Sequence, residues 1–363
     1  MSTDQPESAR SARSSAGPRV VVDAVGGDKA PAEPVAGCIG AANRWQDTAI
    51  TLVGPRDAVE AELDKHGPRP ANIEVVHASE VIGMHESPVR ALRGKRDSSI
   101  NVGMKIVADG DADAFLSAGN TGAVVAAGSL RLGLMEGVQR PGIAVPMIAI
   151  DHPILVIDVG ANVHCKPPHL LQYGLMADVF ARNVMDMKNP RVGLLNVGEE
   201  ERKGTELEKE AYGLLADAPL NFVGNVESDD VFFGGCDIVV CDGFVGNILL
   251  KTSESMVKKV LSFLREEISK KWRRRIGFAL CKDVFESTRQ VGDYAEYGGA
   301  PLLGVDGVTI ICHGRSEARA FENAVREARS ILSHKVNHSI GEAVRACLPS
   351  RQNAPESTRP AAS

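Results

Sequence analysis

Residues 114–131, AFLSAGNTGAVVAAGSLR, contain the pattern that decides the fold. A short apolar run, Ala114–Ser117, leads through a Gly/Asn loop into a helical stretch, Gly122–Arg131. The run is apolar on both faces, which is typical of a strand buried between two layers of helices. The loop can present backbone N–H groups to an anion at the start of the helix. A glycine turn capped by Asn120 or Thr121 explains the same residues equally well.

The same order of strand, loop and helix recurs along the chain. It predicts an α/β fold: a Rossmann-like α/β/α sandwich with a mainly parallel sheet and right-handed crossovers. The predicted strands are Arg19–Ala24, Ile50–Val53, Ile73–Val76, Ala114–Ser117, Ile154–Asp158, Val192–Asn196, Asn221–Val223, Asp237–Cys241 and Val308–Cys312. The predicted helices are Ala32–Asn43, Asp57–Lys65, Gly122–Arg131, Pro167–Val184, Gly204–Leu215, Ile248–Trp272 and Ser316–His334.

Gly, Asn and Asp cluster directly after five of the predicted strands. In open α/β sheets, ligands bind outside the carboxyl ends of the strands. We therefore expect these loops to lie at one edge of the sheet and to bind a phosphate or a similar substrate group, although a tight turn explains each loop alone. The candidate binding residues are Asp23, Gly26, Gly27, Asp28, Gly119, Asn120, Thr121, Gly122, Asn162, Gly204, Asp242, Gly243 and Gly246.

Two further residues have side chains suited to an anion. Lys203 lies in the acidic loop EEERKGTE, where it is either a solvated lysine or a cation that reaches over the strand ends. Asn247 ends the stretch DGFVGN, where we expect a helix to begin. It is therefore a candidate N-cap residue, and a cap also places its amide at the ligand edge.

The composition excludes several classes of protein. The 363 residues correspond to about two domains or one large α/β unit. A net charge of −6 and 4% aromatic residues argue against a nucleic-acid-binding protein. No GxGxxG follows the first strand, and P-loop, HExxH and GxSxG motifs do not occur. The apolar runs are far shorter than the ~20 residues that a membrane span needs.

The seven cysteines are scattered and form no CxxC motif. They indicate reduced thiols in a cytosolic protein, and we expect neither a metal site nor a cofactor. Cys165, Cys241 and Cys312 follow or end predicted strands. Buried, inert thiols are the preferred interpretation of these three residues, with a Cys–His pair as the alternative.

The two ends of the chain differ from its body. Residues 1–17 and 348–363 are polar and rich in Ser, Ala and Pro, which predicts disordered tails. Residues 1–17 also lack the apolar core of a secretory signal. Residues 18–347 are predicted to form one α/β domain, with a helical, basic and amphipathic extension at residues 253–290.

Residues 258–275 carry eight basic residues, opposed only by Glu266 and Glu267. Trp272, Ile276 and Leu280 follow at helical spacing, ringed by Lys and Arg. This second half of the segment fits the surface of an anionic membrane. The first half fits the solvated face of a core helix, with dimer contact as a variant. A docking site for a strongly acidic partner protein is a third interpretation.

Seven motifs follow one another along the chain: VDAVGGDKAP, SAGNTGA, IDVGAN, LLNVGEEERKGTE, FVGNVE, CDGFVGNILLKT and YGGAPLLGVDG. Together they resemble the motifs of the PlsX family of phosphate acyltransferases, and the resemblance covers residues 19–335. The sequence departs from the family pattern at Val25 and Lys29 and again at His164 and Cys165, without loss of a backbone donor.

The resemblance implies that acyl-acyl-carrier-protein (acyl-ACP) and inorganic phosphate are converted to acyl phosphate and free ACP, at the start of phospholipid synthesis. It also makes ACP, which is strongly acidic, the partner in the third interpretation of the basic segment. The acyl phosphate would then be used by a membrane-bound glycerol-3-phosphate acyltransferase. The resemblance also implies a cytoplasmic homodimer that associates peripherally with the membrane. It implies a sheet similar to those of phosphotransacetylases and isocitrate-type dehydrogenases, and active-site positions for Lys203 and Asn247.

Such a reaction needs no covalent nucleophile, because phosphate is itself a nucleophile and a thiolate is an acceptable leaving group. Our hypothesis is that Lys203 pairs with phosphate, and that Asn247 orients phosphate or donates to the thioester carbonyl. The backbone of residues 120–122 would complete the anion site, and Asp23 and Asp28 would fix loop geometry. The alternatives are a phosphotransacetylase-type enzyme that uses a CoA thioester, and a non-catalytic scaffold at the membrane surface.

Overall fold

The computed structural model describes residues 17–148, 152–280 and 298–347. Its strands are short and rich in Val and Ile, and all the described ones belong to one sheet of eleven strands. The strands are β1 (Arg19–Asp23), β2 (Ala49–Gly54), β3 (Ile73–His77), β4 (Ala114–Ser117), β5 (Gly142–Ile148), β6 (Pro153–Ile157), β7 (Arg191–Leu195), β8 (Asn221–Val226), β9 (Ile238–Val240), β10 (Ala300–Leu303) and β11 (Val308–Ile311).

Helices connect most of the strands. The helix Thr121–Ala127 continues directly into a π-helix at Gly128–Leu132. Several helices begin at a side-chain cap, as when Thr205 accepts a hydrogen bond from Leu207 N–H. The helices are α1 (Ala32–Arg44), α2 (Arg56–Asp64), α3 (Pro88–Gly94), α4 (Ser99–Ala108), α5 (Thr121–Ala127), α6 (Pro167–Val184), α7 (Glu206–Ala216), α8 (Ser228–Phe233), α9 (Gly243–Ser269), α10 (Trp272–Leu280), α11 (Ala318–Ser333) and α12 (Val336–Cys347).

The sheet consists of two parallel groups that run in opposite directions. The strand order is β3-β2-β1-β4-β11-β10-β5-β6-β9-β7-β8. β10 is antiparallel to both β11 and β5, and β5 is antiparallel to β6. The strands β1, β2, β3, β4 and β11 therefore point one way, and β6, β7, β8 and β9 point the other way.

Helices cover both faces of the sheet, as a sandwich requires. Within β1, Val20 and Val22 pack into the layer that contains Phe321 of α11, whereas Val21 packs into the layer that contains Met104 of α4. All five side chains are almost completely buried. Burying a side chain of this size contributes about 1.5–3 kcal/mol. The predicted α/β sandwich with a mainly parallel sheet is confirmed.

Sequence patterns located most elements to within a few residues. They missed β5 and β10, the two strands that join the parallel groups, and the helices α3, α4, α8 and α12. The predicted helix Ile248–Trp272 begins earlier, at Gly243, and ends at Ser269. Residues 1–16 and 348–363, predicted as tails, lie outside the described residues, as do residues 281–297 of the predicted extension. The boundaries of the predicted domain stay a prediction.

Candidate active site

The reversal within the sheet divides the predicted binding residues between two edges. The expectation that all five loops meet at one edge is wrong, because parallel strands share a carboxyl edge only when they run in the same direction. The carboxyl ends of β1 and β4 carry Asp23, Gly26, Gly27, Asp28, Gly119, Asn120, Thr121 and Gly122 at the first edge. The carboxyl ends of β6, β7 and β9 carry Asn162, Lys203, Gly204, Asp242, Gly243, Gly246 and Asn247 at the second edge.

At the first edge, a buried carboxylate holds two loops together. Asp23 accepts a hydrogen bond of 2.7 Å from the Ser117 hydroxyl and one of 3.2 Å from Val25 N–H. Burial raises the pKa of Asp23, whereas its hydrogen bonds, that from Ser117 first, lower it. A Cβ at Gly26 would lie 2.5 Å from the Asp23 carboxylate, so this approach requires glycine. The contacts agree with the expected role of Asp23 in loop geometry.

Asn120 is the N-cap of α5, and its side chain is fully used by the protein. Its Oδ1 accepts a hydrogen bond of 3.0 Å from Ala123 N–H. Its Nδ2 donates to the backbone carbonyl oxygens of Gly83, Met84 and Glu86 at 3.1–3.2 Å. The capping interpretation therefore accounts for the side chain of Asn120. Anion binding by the backbone of residues 120–122 stays a prediction.

At the second edge, Asp158 organises the loop that follows β6. Its Oδ1 accepts hydrogen bonds from Ile143, Gly160 and Ala161 N–H at 2.9–3.2 Å. Its Oδ2 accepts one from Asn162 N–H at 2.8 Å. The carboxyl group is fully buried, and burial raises its pKa, against the opposing effect of these hydrogen bonds. Sequence reasoning had treated Asp158 only as the end of a strand, although the motif IDVGAN contains it.

Asn162 extends the same network and does not point a free amide at a ligand. Its Nδ2 donates to the Pro141 carbonyl at 2.6 Å and to the Tyr173 hydroxyl at 2.9 Å. Its backbone carbonyl accepts a hydrogen bond of 2.9 Å from Gly243 N–H. Asn162 is therefore placed as a positioning residue that fastens the start of α9 to the loop after β6.

Two glycines bring α9 close to that loop. A Cβ at Gly243 would lie 2.7 Å from the Asn162 carbonyl oxygen, and one at Gly246 would lie 2.0 Å from the Asp158 carbonyl oxygen. Asp242 caps the helix, because its Oδ1 accepts hydrogen bonds from Phe244 and Val245 N–H at 2.8 and 3.0 Å. The N-cap is thus Asp242, and the suggestion that Asn247 caps the helix is wrong.

Asn247 instead lies inside the first turns of α9, half-buried beside the loop after β6. A Cβ built on Gly160 would lie 3.8 Å from the Asn247 side chain, and glycine leaves that space open. Within the described part of the chain, the Asn247 amide has no hydrogen-bond partner. A half-buried amide that is free to donate and accept is available to a ligand.

Lys203 lies in the loop between β7 and α7 at the same edge. Asn196 Nδ2 donates to the Lys203 carbonyl at 3.1 Å, and Gly204 adopts a φ of +88°, which shapes the turn into α7. The Lys203 side chain is 51% exposed, and its Nζ lies 3.8 Å from a Glu200 carboxylate oxygen. That long contact leaves the ammonium group able to bind a second anion.

α9 begins at the second edge, next to the loop after β6. His313 follows β11 at the first edge, and burial lowers the pKa of that histidine. Glu254 of α9 and Asp28 of the loop after β1 have smaller, opposite effects and raise the His313 pKa.

The cysteines are not placed as nucleophiles. Cys241 and Cys312 are buried, and burial raises the pKa of both thiols, which keeps them protonated. Cys165 is half-buried, and its Sγ lies 3.7 Å from the Tyr173 hydroxyl. The interpretation as inert buried thiols is confirmed for Cys241 and Cys312. No group of His, Cys, Asp and Glu within the described residues could hold a metal ion.

The predicted membrane-contact residues lie on α10. Trp272 is 67% exposed and Ile276 is 54% exposed, and the Arg273 guanidinium lies 5.4 Å from the Trp272 ring. Leu280 ends the helix, and its side chain lies outside the described structure. No helix in the described ranges is long and apolar enough to cross a membrane.

Solved structures with a similar fold include phosphotransacetylases. A phosphotransacetylase from Streptococcus pyogenes matches with a TM-score of 0.57 and 16% identity, over 87% of this chain and 94% of that one. A branched-chain phosphotransacylase from Enterococcus faecalis V583 matches with a TM-score of 0.52 and 14% identity, over 86% and 99% of the two chains. The predicted similarity to the phosphotransacetylase fold is confirmed, and similarity to isocitrate-type dehydrogenases stays a prediction.

Sequence relatives are more specific. The family described as "Fatty acid synthesis protein" matches residues 18–339. A phosphate acyltransferase of Geotalea daltonii is 46% identical over 331 residues, which is 91% of this chain and 95% of the relative. A phosphate acyltransferase of Heliobacterium modesticaldum is 49% identical over 326 residues, or 89% and 97% of the two chains. The resemblance to the PlsX family is thus confirmed: the chain belongs to the fatty acid synthesis protein family, that of the PlsX phosphate acyltransferases.

Proposed function

We propose that this chain is an acyltransferase that converts acyl-ACP and inorganic phosphate to acyl phosphate and free ACP, the first step of phosphatidic acid synthesis. A phosphate oxygen attacks the thioester carbonyl, the new C–O bond forms, and the C–S bond breaks. The thiolate of ACP leaves and takes up a proton from solvent. Membership of the phosphate acyltransferase family supports the reaction class.

The observation that carries the site assignment is the half-buried Asn247 amide beside Gly160, which has no hydrogen-bond partner among residues 17–148, 152–280 and 298–347. It lies at the same sheet edge as the Lys203 loop, because β9 and β7 are adjacent and parallel. The positive charge of Lys203 attracts phosphate to this edge. It also offsets the negative charge of phosphate as the phosphate approaches the thioester carbonyl. Asn247 donates to the phosphate or to the developing oxyanion.

The test is phosphate-dependent release of ACP from a long-chain acyl-ACP. Removing one oxyanion donor typically lowers turnover by about 10²–10³. We expect Lys203→Ala and Asn247→Ala each to lose activity on that scale while the thermal unfolding midpoint stays near that of the wild type. Lys209→Ala is the matched control, because Lys209 is a lysine of the adjacent helix α7 that pairs with Glu206 at 2.9 Å. Near-normal turnover of Lys203→Ala would contradict the assignment.

A second candidate is phosphorolysis of a CoA thioester, which the fold shared with phosphotransacetylases favours. The assay distinguishes the two, since acyl-CoA at equal concentration would then replace acyl-ACP as donor. Release from CoA alone would move the chain to that class.

We also propose a homodimer formed through α9. This helix has 27 residues, and its exposed apolar side chains include Met256, Val260, Phe263 and Leu264. A stripe of that length on a single helix favours a second helix packed against it. Sedimentation of the wild type against Val260→Glu/Phe263→Glu tests this proposal, and a wild-type monomer would refute it.

We propose that α10 contacts anionic membrane and that the chain is cytoplasmic. Trp272 and Ile276 are exposed between basic residues, which matches an interfacial helix. Such contact would hand acyl phosphate to a membrane glycerol-3-phosphate acyltransferase. The double variant Trp272→Glu/Leu280→Glu should lose binding to vesicles that contain phosphatidylglycerol. Unchanged binding would refute membrane contact through α10.

A further inference from the structure

A cavity of about 580 Å³ lies between α3, α4 and the end of α5, in a part of the surface that no sequence motif indicated. Leu92 and Ala127 form an apolar floor and are almost fully buried. Leu130 stands at the rim and is 67% exposed. The hollow therefore has an apolar floor and one exposed apolar residue at its rim.

Three arginines surround the hollow. Arg93 and Arg96 lie in and after α3, and Arg131 faces them from the π-helix. All three are exposed. Across residues 17–148, 152–280 and 298–347, none of the three guanidinium groups pairs with a carboxylate. In a chain of net charge −6, the cavity is therefore a local positive patch.

Several other arginines of the body pair with a neighbouring acid. Arg19 pairs with Asp113, Arg56 with Glu60, Arg191 with Asp237, Arg329 with Asp47 and Arg345 with Glu136. The three arginines at the cavity have no such pair among the described residues, so their positive charge is available for a partner.

A hydrogen bond to the buried Asn101 holds the Arg131 side chain in position. Asn101 is buried, and its Nδ2 donates to the carbonyls of Leu92 and Lys95 at 3.0 and 2.8 Å and to the Ser98 hydroxyl at 3.1 Å. Its Oδ1 is thereby turned to accept a hydrogen bond of 3.3 Å from Arg131 Nη2. This anchor uses one of the guanidinium donors and leaves the others for a ligand.

We propose that this arginine-rimmed cavity is the docking surface for the acidic carrier protein that delivers the acyl group, an assignment that rests on the proposed function. Carboxylates on a helix of the carrier would pair with Arg93, Arg96 and Arg131, and an apolar side chain would enter beside Leu130. Guanidinium groups recognise carboxylates by bidentate hydrogen bonds. An apolar centre with a charged rim is the usual arrangement of a protein interface.

The experiment compares Arg93→Glu/Arg96→Glu/Arg131→Glu with the wild type. A purified ACP without an acyl group is titrated against each protein by calorimetry, and KM and kcat are measured for acyl-ACP, for acyl-pantetheine and for phosphate. We expect the dissociation constant and the KM for acyl-ACP to rise about tenfold or more. We expect kcat and the KM values for acyl-pantetheine and phosphate to stay within about twofold of the wild type, because the variant leaves the reaction site intact.

The control is Lys259→Glu/Arg273→Glu/Arg275→Glu, which makes the same change of charge on α9 and α10. Equal ACP affinity of the cavity variant and the wild type would overturn the proposal, and so would loss of affinity in the control variant alone. A higher KM for phosphate would make the cavity a small-anion site, and a higher KM for acyl-pantetheine would make it part of the reaction site; either result would also overturn the proposal. If the wild type binds ACP at this surface yet releases none with phosphate, the proposed function fails while the docking surface stands.

Discussion

Gly246→Ala tests whether the close approach of α9 to the loop after β6 positions Asn247. A Cβ at this position would lie 2.0 Å from the Asp158 carbonyl oxygen and 2.8 Å from Cys241 Sγ. Carbon atoms in proteins do not approach backbone oxygen closer than about 3.0 Å, so the start of α9 must move by roughly 1 Å. Asn247 is the next residue and must move with it.

The magnitude follows from two opposing contributions to stability. Replacing glycine by alanine inside a helix contributes about 0.5–1 kcal/mol. Overpacking against a fixed backbone costs about 1–3 kcal/mol. The net expectation is a loss of about 1–2 kcal/mol in the free energy of unfolding. A misplacement of about 1 Å in a catalytic group can lower turnover by about 10²-fold. We therefore expect Gly246→Ala to lose most of its turnover while the protein stays folded.

Gly213→Ala is the matched control, because Gly213 lies within α7 and its added Cβ would meet no atom within 4 Å. It should gain about 0.5–1 kcal/mol with unchanged turnover. Urea unfolding and phosphate-dependent ACP release measure the two quantities. If Gly246→Ala is stabilised like the control and keeps its turnover within about twofold, the inferred coupling between the Asp158 loop and Asn247 is wrong.

Two further changes test the supporting structure. Asn162→Ala removes the donor to Pro141 and Tyr173, leaves polar groups without a partner, and should cost about 1–3 kcal/mol in urea unfolding together with a lower kcat; unaltered stability would contradict the network. Asp237 is partly buried, which raises its pKa, but hydrogen bonds from Arg191 outweigh burial and the pKa is lowered. A lowered pKa gives stability that is present above the unfolded value near 3.8 and is lost as pH falls through the folded value. Asp237→Asn should therefore be less stable than the wild type at pH 6, and the difference should shrink below pH 4; a constant difference would refute the pair's role.

Local pattern was sufficient for most of the parallel strands, since they are short, mainly apolar runs between turn residues. It failed for β5, because Pro146 interrupts the run. The structure tolerates this proline because β10 pairs with β5 only at Gly142 and Ile143. At Pro146, β10 therefore needs no backbone N–H from β5. β10 has only four residues, one of them Pro301, and so resembles a loop in the sequence.

Those two missed strands had a consequence for the site. Because β10 and β5 are antiparallel to their neighbours, the strand direction differs between the two parallel groups. The hydrophobic pattern of the other strands does not indicate this change of direction. The sequence predicted that the candidate binding residues lie in loops after strands. It did not predict that these loops are divided between two edges of the sheet. Asn247 shows the same limit at a smaller scale. The sequence predicted it as the N-cap, and only the hydrogen bonds that Asp242 accepts show that the helix begins five residues earlier.

The position of β11 in the sheet constrains the order in which the chain can fold during its synthesis. β11 inserts between β4 and β10, so Phe115 pairs with Thr309, about 190 positions later in the chain. Until that segment leaves the ribosome, β4 has an open edge that is apolar on both faces. A chain that ends before residue 298 would keep this edge and aggregate. Because α11 and β11 close the first parallel group after the second has been made, the two halves should unfold in one transition rather than as separate units.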